Sequence, residues 1–197
     1  MASSSSPADD SGTVAGTAPL VNPANAITAA RVLLVPLFGW LLLHPGGGWW
    51  RVGALAVFIV ASITDHVDGE LARRRHLVTD FGKIADPLAD KALTGMALVG
   101  LSVLGELWWW VTAVIILREV GVTLLRFWVI KRGVIAASAG GKLKTVLQIS
   151  AIILYILPLH WTALNIGEEV VMLAALVVTV VTGIDYVWKA LAVRRGD

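Results

Sequence analysis

Four aspartates stand out by their spacing. Asp65 and Asp68 are three residues apart, and Asp86 and Asp90 are four apart. Either interval puts both carboxylates of a pair on one face of a helix. Brought together, like charges ~4 Å apart repel by ~4 kcal/mol per pair at an effective dielectric of about 20. Divalent cations reverse that sign. A set made only of oxygen donors suits Mg²⁺, Mn²⁺ or Ca²⁺, and the chain has no cysteine to favour a softer metal.

The elements that carry these aspartates belong to a bilayer. Of 197 residues, 57% are apolar and 15% charged, and the mean hydropathy is +0.78. Soluble domains have about 45–50% apolar and about 25% charged residues. The composition excludes a disordered chain and a soluble nucleic-acid binder, and the lack of cysteine excludes a disulfide scaffold. A net charge of +2 is too small to imply a polyanionic partner. The chain reads as an all-α integral membrane protein. Six stretches approach the ~20 residues of a membrane span: roughly 30–44, 51–72, 83–104, 108–130, 142–160 and 169–191. The breaks are Pro45–Gly48, Arg73–Gly82, Gly105–Leu107, Lys131–Gly141 and Trp161–Glu168. Such short connections make neighbouring helices antiparallel. Residues 1–20 read as a disordered tail without a signal peptide's basic start or apolar core. A short juxtamembrane helix is expected from Asn22-Pro23-Ala24-Asn25, and residues 21–197 form one six-helix domain.

Basic residues orient the spans. With the N-terminus in the cytoplasm, Arg73, Arg74, Arg75, Lys83, Lys131, Arg132, Lys142, Lys144, Arg194 and Arg195 lie on the cytoplasmic side, as do both termini. Arg51, Glu106, Glu168 and Glu169 then lie outside, and Trp49, Trp50, Trp108, Trp109, Trp110 and Trp161 form an outer aromatic belt. Each aspartate at bilayer depth costs ~2.5–3.5 kcal/mol. Four buried and uncompensated would cost ~10–14 kcal/mol, comparable to a protein's net stability. They must face a watery cavity, bind cations, or both. Gly69, Ala72 and Gly82 let a neighbour approach the backbone closely, either a packed helix or a ligand. Among four carboxylates, ligand contact is the favoured reading.

Together these residues resemble the signature of the CDP-alcohol phosphotransferases, D-x2-D-G-x2-A-R-x8-G-x3-D-x3-D. Asp65, Asp68, Gly69, Ala72, Arg73, Gly82, Asp86 and Asp90 fill every specified position. The resemblance implies a six-helix membrane fold, a homodimer, a site opening to the cytoplasm, and two divalent cations, Mg²⁺ or Mn²⁺. It implies transfer from CDP-diacylglycerol or a related CDP-alcohol to an acceptor alcohol, with release of CMP. It assigns Asp65, Asp68 and Asp86 as metal ligands, and Asp90 as both ligand and general base. Arg73 would meet the diphosphate, while Gly69, Ala72 and Gly82 leave room for the nucleotide.

The pattern Arg118-Glu119-x6-Arg126, followed by Gly141-Lys142-x-Lys144-Thr145, is similar to the branch that makes phosphatidylglycerophosphate. So is the opening Asn22-Pro23-Ala24-Asn25-Ala26-Ile27-Thr28-Ala29-Ala30-Arg31, in which Asn25 and Thr28 would contact CDP-diacylglycerol. That branch uses glycerol 3-phosphate, a dianion suited to a basic pocket. Arg118, Arg126, Lys142 and Lys144 are the residues expected to hold it, with Arg126 and Lys142 foremost; on charge bias alone, Lys142 and Lys144 also fit simple membrane anchoring. His66 and Glu70 occupy variable positions, with His66 read as solvated or packed, and Asp80 reads as a turn or cap residue. Asp185 needs a basic partner that the sequence does not name. Two alternatives stand beside this reading: phosphatidyl transfer to another alcohol, such as an inositol phosphate, and divalent-cation transport. Transport calls for access from both faces and often internal repeats; here the polar residues cluster toward one face, without a convincing repeat.

Overall fold

A computed structural model of the chain describes the backbone of residues 23–75, 80–129, 139–159 and 162–195. It describes side chains over 30–64, 91–126, 140–159 and 164–192, and that of Trp128. Six helices follow one another: α1 (Pro23–Leu43), α2 (Gly48–Arg75), α3 (Asp80–Val103), α4 (Trp109–Val129), α5 (Ala139–Ile156) and α6 (Thr162–Arg195). Among the described residues there is no strand. The expected tail over 1–20 lies outside them.

The helix count matches the sequence reading, but several boundaries move. The short N-terminal helix is not a separate element, because α1 runs unbroken from Pro23 past Pro36 to Leu43. The polar run Arg73–Gly82 is mostly helical, leaving only residues 76–79 between α2 and α3. Arginine is a good helix former, so charge ends the apolar stretch without ending the helix. Similarly, α6 begins at Thr162, which puts Glu168 in its second turn rather than in a loop.

Two turns are closed by glycine. Gly47, at φ 80°, precedes α2 and its carbonyl accepts from the Trp50 N–H at 3.1 Å. Gly105, at φ 76°, ends α3 in a Schellman arrangement: Glu106 N–H donates to the Leu101 carbonyl at 3.0 Å and Gly105 N–H to Ser102 at 3.1 Å. Both bonds satisfy carbonyls that a helix end otherwise leaves orphaned.

α5 packs most extensively on α6, α1 lies against α2 and α3, and α4 lies against α6. The fully buried Phe38 and Phe58 rings meet at 5.5 Å, beside Leu42, Leu98, Leu101, Ile115, Ile152 and Ile156. Ser102 and Thr112 share a hydroxyl hydrogen bond of 2.7 Å between α3 and α4. Large apolar side chains also lie on the outside. Leu33, Ile63, Leu117, Val146, Val181 and Trp188 are each more than half exposed, while Lys144, Gln148 and Thr179 are buried. Leu164–Ala192 is long and apolar enough to cross a membrane, and Ala30–Leu43, Gly48–Thr64 and Lys91–Val103 are shorter apolar helices.

Candidate active site

The aspartate motif occupies two helix ends. Asp65, Asp68, Gly69, Ala72 and Arg73 fall in the last three turns of α2, and Gly82, Asp86 and Asp90 in the first three turns of α3. The four-residue connection puts these turns at one end of the bundle. Asn25 and Thr28 fall in the first two turns of α1. The side chains of all these residues, and of His66, Glu70 and Asp80, lie outside the described residues. Among the described ones, no three acidic or histidine side chains gather as a metal site would require.

The described side chains take over one residue past Asp90. Lys91 of α3 donates to the Glu119 Oε2 of α4 at 2.9 Å and lies 3.4 Å from the Glu119 carbonyl. The other carboxylate oxygen, Oε1, accepts from Arg118 at 3.0 Å and pairs with Lys144 of α5. Arg118 also donates to the Thr182 hydroxyl of α6 at 2.9 Å. Three cations thus converge on one carboxylate, and four helices meet there. Lys144 is only 6% exposed, and the Arg118 Nε is buried without a hydrogen-bond partner.

Arg118 needs space to reach across to α6, and Gly183 leaves it. A Cβ at position 183 would stand 3.0 Å from Arg118 Cγ and 3.4 Å from Nε. Arg118 and Gly183 also line an apolar groove of ≈ 450 Å³ between the two helices, with Gly121, Leu125, Ile184 and Trp188.

Of the four residues expected to hold an acceptor phosphate, Arg118 and Lys144 come together on Glu119. Arg126 and Lys142 are exposed and make no ion pair with it. Lys91 is the member that sequence reasoning passed over, although its place directly after Asp90 was visible. Asp185 finds its partner one turn along α6, where Lys189 donates to it at 2.6 Å.

A second charged contact closes the far end of the bundle. Arg51 in the first turn of α2 binds both oxygens of Glu106, at 2.5 and 2.6 Å, and donates to the Tyr155 carbonyl at 3.1 Å. It joins the start of α2, the α3–α4 turn and the last turn of α5.

Residues 21–181 match the model of the CDP-alcohol phosphatidyltransferase family. The chain belongs to that family. It is 52% identical over 184 residues to the probable phosphatidylglycerophosphate synthase of Mycobacterium tuberculosis, covering 92% of this chain and 88% of that one. It is 38% identical over 192 residues to the CDP-diacylglycerol–glycerol-3-phosphate 3-phosphatidyltransferase of Bacillus subtilis (87% of this chain, 98% of the relative). The enzyme of the same name from Shigella flexneri is 36% identical over 177 residues (87% and 93%). The family match contains the whole aspartate motif and the three cations on Glu119. Thr182 and Gly183, which seat Arg118, follow directly after its last residue.

Proposed function

We propose that this chain transfers the phosphatidyl group of CDP-diacylglycerol to glycerol 3-phosphate, giving phosphatidylglycerophosphate and CMP. The observation that carries this reading is the convergence of Lys91, Arg118 and Lys144 on Glu119, directly behind the aspartate turns. Three cations for one carboxylate suit an acceptor that brings its own phosphate. An uncharged alcohol gives that surplus no use. The names of the relatives from Mycobacterium tuberculosis and Bacillus subtilis support the same acceptor.

In this reading Asp90 takes the proton from the acceptor hydroxyl as its oxygen attacks the lipid-side phosphorus of the diphosphate. The bond from that phosphorus to CMP breaks, and CMP leaves with the electron pair. Arg73 meets the diphosphate, Gly69, Ala72 and Gly82 leave room for the nucleotide, and Asn25 and Thr28 contact the donor from α1. Arg118 and Lys144 hold the acceptor phosphate, with the exposed Arg126 and Lys142 at the edge of the same subsite. Asp65, Asp68, Asp86 and Asp90 would hold two divalent cations, Mg²⁺ or Mn²⁺, since carboxylates from two helix ends joined by four residues suit hard cations. Such cations, when bound, supply charge neutralisation to the diphosphate and the departing CMP.

The same reading makes the chain a multi-pass protein of the cell (inner) membrane, working as a homodimer, with both termini and the active site cytoplasmic. An apolar exterior of this extent is rare on soluble monomers, and it surrounds buried polar side chains. The deciding assay offers the purified protein CDP-diacylglycerol with labelled glycerol 3-phosphate, an inositol phosphate or serine, and identifies the lipid product. Phosphatidylglycerophosphate and CMP in equal amounts are expected, with chelation stopping the reaction and Mg²⁺ or Mn²⁺ restoring it. Preferred use of another acceptor, or full turnover in excess chelator, refutes the corresponding part.

A further inference from the structure

We infer that Glu119 is a positioning residue: from α4 it gathers Lys91 of α3, Lys144 of α5 and its own neighbour Arg118 into one cluster, and this cluster, Lys91 included, seats the acceptor's phosphate. The inference rests on the proposed glycerol 3-phosphate reading and adds two residues to it. Both carboxylate oxygens are already engaged, Oε2 by Lys91 and Oε1 by Arg118 and Lys144. Among the described side chains, one negative charge faces three positive ones, so within this set the cations are in excess in partly buried surroundings. Charges withdrawn from water call for partners. A phosphate dianion matches that excess in sign.

The donors left over match as well. Each lysine ammonium has three N–H groups, and the Arg118 Nε is buried without a partner. Thr182 holds the other side of the guanidinium, and Gly183 leaves room for the arginine there. Lysines on flexible four-carbon stems lose much freedom when they grip a ligand. A carboxylate that already holds them lowers that loss, which is the general advantage of preorganisation. Lys91 is adjacent in sequence to Asp90, so the clamp on Lys91 also fixes the turn that carries the proposed base relative to the phosphate seat.

The sign of one substitution separates positioning from simple charge. Glu119→Gln removes a negative charge, so charge alone predicts tighter phosphate binding; positioning predicts weaker binding. The full chain in lipid nanodiscs, with saturating CDP-diacylglycerol and varied glycerol 3-phosphate, gives the measurement. For Glu119→Gln and Lys91→Met the acceptor KM should rise roughly tenfold or more, with the donor KM unchanged, and Glu119→Asp should recover part of the loss. An acceptor KM that is unchanged or lower in Glu119→Gln overturns the inference, as does an equal rise in both KM values. Inorganic phosphate provides a readout without turnover: it should raise the melting midpoint of the unsubstituted protein and not that of Glu119→Gln, and equal stabilisation of both also overturns the inference. Should Glu119→Gln fail to fold, Lys91→Met decides by the same two measurements. An unsubstituted protein that phosphate stabilises, but that makes no phosphatidylglycerophosphate, refutes the functional reading rather than the phosphate seat.

Discussion

At one end of the bundle, Arg51 grips both oxygens of Glu106 and the Tyr155 carbonyl. Deeper in, beside the aspartate turns, Glu119 faces Lys91, Arg118 and Lys144 together. Both clusters tie helices across the structure, and both use a carboxylate. They differ in balance. One cation matched to one carboxylate through two oxygens is balanced in charge, although the Arg51 Nε, like that of Arg118, is buried without a hydrogen-bond partner. Three cations on one carboxylate are in excess among the described residues, and the excess has the sign that an acceptor phosphate would meet. Charge inside a helix bundle can therefore serve as a fastener or as a seat, and the local count of charges distinguishes the two.

Substitutions at the two clusters should separate along the same line, and the largest effect lies beside the unbalanced one. Asp90→Asn keeps the side chain's size but cannot accept a proton at neutral pH. Turnover should fall ~10²–10⁴-fold while CDP-diacylglycerol binding persists. Metal content measured on the same variant separates loss of the base from loss of a ligand. Unchanged turnover with both metals bound would remove Asp90 from the base role.

The next effect ranks the acceptor cations. Lys144→Met removes a buried member of the cluster, and the acceptor KM should rise about tenfold, in line with loss of a charge-assisted bond. Arg126→Ala and Lys142→Ala should raise it less, because exposed charges are screened by water and salt. This reverses the order that the sequence motif favours. If Arg126→Ala exceeds Lys144→Met, the phosphate sits nearer the exposed edge than the Glu119 cluster.

The reversal marks where the sequence stopped being legible. Hydropathy located six helices, because apolar stretches near the length of a span have few other folded states. It misjudged ends such as Arg73–Arg75 and Thr162–Glu168, since it reads polarity whereas helices continue through residues with adequate propensity. The aspartate motif was readable because its information lies in local spacing. The cluster was only half readable. Arg118 and Glu119 declared themselves as charges inside an apolar helix, but their meeting with Lys91 and Lys144 depends on how α3, α4 and α5 pack, which no local spacing encodes. The Asp185–Lys189 pair, by contrast, is an i, i+4 interval that the sequence contained all along.

The balanced cluster should respond in stability instead of kinetics. Arg51→Met removes a two-oxygen contact and leaves Glu106 without its cation. Such a contact contributes about 1–3 kcal/mol when partly buried, and each 1 kcal/mol moves the midpoint of a chain this size by about 2–4 °C. The thermal midpoint should therefore fall by several degrees while both KM values stay put. A selective change in acceptor KM would mean that the two clusters communicate, and that the contrast between fastener and seat is too simple.

The smallest effect tests how tightly the seat is built. A methyl group at Gly183 would meet Arg118 Cγ at 3.0 Å and Nε at 3.4 Å, tighter than ordinary contact, so the arginine must shift by a few tenths of an ångström. That displacement strains the bonds from Arg118 to Thr182 and to Glu119, while leaving the side chains of Lys91 and Lys144 in place. Gly183→Ala should raise the acceptor KM by roughly two- to fivefold, a fraction of what a full charge-assisted bond contributes, and leave the donor KM unchanged. Alanine also favours helix over glycine by ~0.8–1 kcal/mol, so the same variant should not melt earlier. A more stable protein with a weaker hold on its acceptor is hard to explain by general damage. It is the expected signature of a glycine whose role is to give Arg118 room. An unchanged acceptor KM would show that Arg118 holds its place without Gly183, and that the α6 side of the seat tolerates the shift.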